Sequence, residues 1–314
     1  MNSFVTALSA VFPMFCMLGL GVFLRRTGFL DKNTLEKMNK LCFKVFLACN
    51  IYYNICKVNI AEVFDAKLLF YAIASQFLIL LLSLLVSLPF ASAKKRRGAL
   101  AHGVFHTNFV IFGTLIGTAI CGEGNIGSIV LLIAIIVPFQ NVISVILLEH
   151  FREGEYTSSL KNTILSVVKN PYVIAALLGF TTQLLHIHWP DFLSGIFRDL
   201  GRCGTPVALI AMGGLFNFSS IKDNLRPILV GVVSRLVLVP ALLIPLTVRL
   251  GFRGSAFVAL MCIFIAPCAT TSFNLASQMD SDADLASQLV VFTSVCSLFT
   301  IFLWIYSLSS LGLF

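Results

Sequence analysis

The sequence predicts an all-α, polytopic membrane protein. Ten transmembrane helices form two inverted five-helix repeats, with helices four and nine broken and crossed. Three observations carry the broken ten-helix reading. The 314 residues are 58% hydrophobic and 11% charged, with a mean hydropathy of +0.95. A soluble core of that size carries about a quarter charged residues. The chain also divides into ten apolar runs, each near the roughly 20 residues that cross the hydrocarbon layer. Two of those runs, at matching places in the two halves, are weakened in mid-span.

The runs cover about 4–24, 38–56, 68–90, 99–121, 126–149, 169–187, 192–216, 226–249, 254–278 and 285–309. The second and seventh are short or polar at one end. Connections are short. The longest, 150–168, separates a first repeat, 1–149, from a second, 169–314. No soluble domain is expected at either end. The first run lacks the basic flank of a signal peptide and is long enough to span. An odd number of spans per half forces the halves into opposite orientations. If the halves are similar, they form an inverted repeat, as in many secondary transporters.

The net charge of +8 is accounted for by orientation rather than by nucleic acid. Arg25, Arg26, Lys32, Lys37, Lys40, Lys94, Lys95, Arg96, Arg97, Arg152, Lys161, Lys169, Lys222 and Arg226 fall in alternate loops. The other side holds the smaller set Lys57, Lys67, Arg198, Arg249 and Arg253. The positive-inside rule puts the first set in the cytoplasm and both termini outside, in a plasma or inner membrane. Nine cysteines lie mostly within apolar runs, without CxxC or metal-ligand spacing, and read as small core residues. No cofactor is implied. His102 and His106 are four apart and can share a metal, but no third ligand is in view.

The ninth run contains IFIAPCATTSFN, Ile263–Asn274. Pro267 removes a backbone donor and pushes its ring at the preceding turn. Lipid cannot satisfy the freed groups, so the break faces protein or a wet cavity. A packed proline kink is the alternative. The fourth run, HGVFHTNFVIFGTLIGTAICG, carries His106, Thr107 and Asn108, then Gly113, Gly117 and Gly122. Two weakened helices at matched positions point to a mid-membrane binding site. Gly113 and Gly117 also suit close helix packing.

The order and spacing of several motifs resemble the auxin efflux carrier family, especially its short bacterial malate or organic-acid permeases. They are LGLGVFLRRTGFLDKNTLEKMNKLCFKVFLACNI in the first two spans, FHTNFVIFG in the fourth, PFQNVISVILLE in the fifth, TPVALIAMGGLF in the seventh and APCATTSFNLASQMDSDADLASQLVVFTSVCSL across the last two. The resemblance covers essentially the whole chain. It implies ten spans in two inverted halves, crossed breaks in helices four and nine, substrate at the crossing, and one domain moving as an elevator or rocker. It also implies a homodimer. Asn108 matches the family's fourth-span asparagine and Pro267 its ninth-span proline. Gly113-Thr114-Leu115 stands where a Gly-x-Pro is usual, so glycine and threonine would have to permit the opening there. Cys49-Asn50 replaces a common second-span proline.

Half-helix N-termini present unpaired N–H groups and positive dipole ends, which favour a small anion. Thr107, Asn108, Thr270, Thr271 and Asn274 can add directed hydrogen bonds, and Asn141 and Asn50 can line the same cavity. Each amide can equally hold two helices together. Arg235, inside the eighth span, either attracts the anion or snorkels to the cytoplasmic end. Lys44 lies nearer its loop and is expected to snorkel. No Asp or Glu falls mid-span, which argues against paired-aspartate cation exchange. Proton or sodium coupling stays open. No GxSxG, HExxH or GxxxxGK[ST] motif occurs, so neither hydrolysis nor ATP-driven transport is indicated. The expectation is a secondary-active or facilitative carrier of a mono- or dicarboxylate such as malate, working by alternating access in the bilayer. The alternative is a carboxylate receptor without turnover.

Overall fold

The computed structural model describes residues 3–57, 65–89, 93–122, 126–152, 165, 168–185, 187, 189–217 and 221–313. Most of the expected connecting loop, including Lys161, lies outside the described residues. Those described are helical, with no strand among them: α1 Ser3–Arg26, α2 Lys32–Leu41, α3 Leu47–Lys57, α4 Ala66–Ser87, α5 Lys94–Phe105, α6 Phe109–Cys121, α7 Gly127–His150, α8 Pro171–Leu184, α9 Asp191–Leu215, α10 Ile221–Val233, α11 Val239–Arg249, α12 Gly254–Ile265, α13 Thr271–Gln278 and α14 Ala283–Ser310. Single π-helical turns, Cys42–Phe46 and Ser234–Leu238, join α2 to α3 and α10 to α11.

Local sequence sets many of the boundaries. Asp31 caps α2, accepting from the Thr34 N–H at 2.9 Å. The hydrogen bonds from Thr34 hold its carboxyl below the usual carboxylate range. Asp65, Asn170 and Asp282 cap α4, α8 and α14 in the same way. Pro171 stands at the first position of α8, where a missing donor costs nothing.

Among the described residues, four continuous stretches are long and apolar enough to cross a membrane: Ala66–Ser87, Gly127–His150, Ile221–Arg249 and Ala283–Ser310. The fourth and ninth expected spans do not qualify as single helices because each is split. Their pieces include the shorter apolar helices Phe109–Cys121 and Gly254–Ile265. The seventh, α9, carries Arg198, Asp199 and Arg202 in its first half.

Packing sorts most of the helices into two groups. One contains α1, α2, α3, α8 and α9; the other contains α4 to α7 and α10 to α14; α1 bridges them, packing against α14 and α6 as well as α9. Each group draws on both halves of the chain, so the halves interleave. Within the first group α1 and α9 approach closely over glycine. A Cβ on Gly213 would lie 2.1 Å from the Leu18 carbonyl oxygen, and one on Gly21 would lie 2.1 Å from that of Ile210. The largest apolar core among the described residues lies mostly in the second group and includes Phe105, Phe109, Phe112, Phe257 and Phe264, all fully buried, with Leu18 of α1 and Leu209 and Met212 of α9 joining it.

Several basic residues tie helix ends together. At one end Lys95 pairs with Asp280 at 2.8 Å and Arg96 with Asp282 at 3.5 Å. Arg96 also donates to Asn224 at the start of α10. Away from these, Lys67 Nζ at the start of α4 donates to the Leu250 carbonyl after α11 and lies over the Phe252 ring.

Candidate functional site

The site is built where two interrupted helices cross. α5 stops at Phe105 because His106 is extended, with φ −85° and ψ 117°. α12 stops at Ile265 because Ala266 is extended, with φ −64° and ψ 143°, the conformation that a following proline favours. The two gaps lie antiparallel. The Asn108 N–H donates to the Pro267 carbonyl at 2.9 Å, and the Ala269 N–H donates to the His106 carbonyl at 3.0 Å. Thr107 therefore sits opposite Cys268. The Cys268 N–H donates to Thr293 Oγ1 of α14 at 3.1 Å. Groups that helix formation would have paired are thus paired across the crossing, as a low-dielectric interior requires.

The fourth-span break is not where the glycines suggested. Gly113-Thr114-Leu115 is continuous helix within α6, and Thr114 Oγ1 bonds back to the Val110 carbonyl at 2.7 Å. Gly113 and Gly117 make room for the Phe109 ring and the Ile129 side chain. The break lies at His106–Asn108, and it needs no proline because its backbone bonds to the other gap.

A cavity of about 90 Å³ opens beside the crossing, more than one water needs. Asn50, Thr107, Asn108, Asn141, Thr270 and Thr271 line it, with His106 and Thr205. The starts of α6 and α13 both border it, through Val110 and Thr271. The Asn108 amide nitrogen is buried without a hydrogen-bond partner. Asn50 donates to the Gly201 carbonyl at 3.1 Å, tying α3 to α9. Thr107 Oγ1 lies 3.4 Å from Gln140 Nε2, which donates to Gln76 Oε1 at 2.8 Å. Thr205 and this glutamine chain were not singled out from sequence. The available signals were Thr205-Pro206 inside the seventh span and Gln140 beside Asn141.

Three expected residues lie elsewhere. Pro267 belongs to the crossing and does not line the cavity. Asn274 is fully buried in α13, and neither of its amide atoms has a hydrogen-bond partner. Arg235 neither faces the cavity nor snorkels. It is fully buried in the π-helical turn, and its guanidinium donates to backbone carbonyls. Nε reaches Ala266 at 2.8 Å, Nη1 reaches Val104 at 3.4 Å, and Nη2 reaches Phe264 at 3.2 Å and also Ile263. These carbonyls end α12 and α5. A cation therefore sits on the negative ends of both leading half-helices, while the positive ends of α6 and α13 meet the cavity.

A larger recess of about 810 Å³ is lined by Arg25, Lys32, Lys40, Glu36 and Asp284, with Phe273, Ser277 and Gln278 of α13. α13 thus borders the small cavity at its start and the charged recess at its end.

A family model described as "Membrane transport protein" matches residues 6–305. A similar protein from Methanothermobacter thermautotrophicus, described as an uncharacterized transporter, is 26% identical over 160 residues, covering 51% of each chain. This chain therefore spans about half the length of that curated relative. With a match over nearly its whole length, the chain belongs to the membrane transport protein family, the auxin efflux carrier family.

Proposed function

We propose that the crossing is the carrier site for a small organic anion, a mono- or dicarboxylate of the malate kind. On this reading ten spans form two inverted repeats, and access alternates between the two sides of a cell membrane with both termini outside. The observation that carries it is the arrangement of charge. Two helix N-termini and neutral hydrogen-bonding side chains meet on one cavity, while Arg235 covers the opposite helix ends. Such a site offers N–H and O–H groups in place of an anion's hydration. No Asp or Glu is buried among the described residues to repel it.

The packing supports alternating access. The cavity wall combines Asn50 of α3 and Thr205 of α9 from one helix group with the crossing from the other. Relative motion of the groups would carry the crossing past α3 and α9. The basic recess, with Arg25, Lys32 and Lys40, would gather anions at the cytoplasmic end.

Counterflow in proteoliposomes tests the reading. Vesicles loaded with unlabelled malate should take up labelled malate transiently above equilibrium. A receptor would bind malate without exchange, and absence of both binding and exchange across a panel of carboxylates would exclude the anion site.

A further inference from the structure

One histidine lines the cavity, and a second stands behind it toward the Lys94–Arg97 end of α5. His102 and His106 stand one helical turn apart, with His102 Nε2 and His106 Nδ1 hydrogen-bonded at 3.1 Å. One ring must donate and the other accept, so the neutral pair shares a single hydrogen across that contact. His106 lines the cavity and His102 does not. Both rings are buried, and His102 Nδ1 is a buried nitrogen with no hydrogen-bond partner. The pair is a short chain of proton-binding nitrogens that begins at the cavity and ends on an unpaired atom.

The charges around it are of one sign. α5 packs against α4, α7, α10, α13, α14 and the π-helical turn. The turn contributes Arg235, whose charge acts on His106. The gap opposite contributes the Cys268 thiol, which also faces Arg235. The packed helices bring no buried Asp, Glu, Lys or further His among the described residues. An imidazolium at this place thus lies near a guanidinium and meets no carboxylate of the protein. A carboxylate in the cavity would be its counter-charge, so proton and anion would each favour binding of the other.

We propose that the His102–His106 pair is the binding site of a coupling proton, taken up with the anion. This rests on the reading of the cavity as an anion site. One proton leaves water and bonds to a lone pair on His106. The hydrogen in the N–H···N contact can then shift so that His102 holds the charge. A monocarboxylate and this proton cross with no net charge, and a dicarboxylate with one negative charge.

The test uses the full-length protein in proteoliposomes with labelled malate and an entrapped pH dye. Uptake should rise several-fold when the outer, malate side is the acidic one, with malate-dependent acidification of the dye-containing lumen. In His102→Gln and His106→Gln the ratio of gradient-driven uptake to malate exchange should fall to unity, even where exchange itself slows. Wild-type uptake indifferent to the pH gradient, or an undiminished ratio in both variants, overturns the proposal. If the wild type does not exchange malate at all, the cargo reading fails separately. The pair is then judged by histidine 15N resonances in nanodiscs: His106 should titrate differently once His102 is glutamine, and unchanged titration rejects the pair as a site.

Discussion

Asn108 and Arg235 sit on opposite sides of the same crossing and should respond to mutation in opposite ways. Asn108 is fixed by its backbone, through its N–H on Pro267, while its amide nitrogen bonds nothing. Asn108→Ala removes no hydrogen bond made by that nitrogen, so thermal stability should change by no more than about 1 kcal/mol, the centre of the range for single substitutions. Malate counterflow should fall tenfold or more, the scale of one lost buried hydrogen bond to a charged ligand at about 1.5–3 kcal/mol. Arg235→Met should instead lower stability, by about 3 kcal/mol, because it strips a charged donor from four buried carbonyls. Arg235→Lys should recover only part, since an ammonium cannot match the planar fork. Thermal unfolding followed by fluorescence-detected gel filtration separates the two patterns. The sequence marked Arg235 by its depth alone. Its partners are main-chain carbonyls from two other spans, and no residue type announces those.

Two broken helices reach the same geometry by different chemistry, and only one of them was readable locally. Pro267 removes a donor and disfavours a helical Ala266, so the ninth-span break has a local signal, although Pro138 and Pro206 lie inside continuous helices. The fourth-span break has no proline. Its cause is the antiparallel contact with the other gap, a long-range effect that glycine spacing could not locate. The cluster His106-Thr107-Asn108 was legible as polar and belongs to the break itself. In Pro267→Ala the helix regains a donor and α12 can extend toward α13. Continuation would remove the Pro267 carbonyl from Asn108 and close the cavity wall at Thr270. Uptake should therefore drop at least several-fold while the protein remains inserted. Unchanged uptake kinetics would mean that the bonds to Thr293 and His106 hold the gap open without proline. The π-helical turns were not legible either, because a wide turn such as Ser234–Leu238 is stabilised from outside. There Trp304 Nε1 donates to the Leu236 carbonyl at 3.0 Å.

Sequence order and spatial grouping differ across the whole molecule. The long loop marks two halves of the chain, yet α1 to α3 pack chiefly with α8 and α9, while α4 to α7 pack with α10 to α14, and α1 also reaches α14 and α6. Hydropathy reports the length and order of spans but nothing about which faces meet. It could not reveal that the cavity lies where these two groups face each other. Charge is more informative at this scale. The cluster of Lys95, Arg96, Asp280 and Asp282 ties the start of α5 to the turn before α14. Arg96 and Asn224 bring the start of α10 to the same end. If the more basic end is cytoplasmic, Lys94 and Arg249, both exposed, lie on opposite sides of the bilayer. In a background without native cysteines, Arg249→Cys should react with a membrane-impermeant maleimide in intact cells. Lys94→Cys should react only in inside-out vesicles. The reverse pattern would invert the whole molecule, and labelling of both from one side would refute the odd number of spans per half on which the inverted repeat depends.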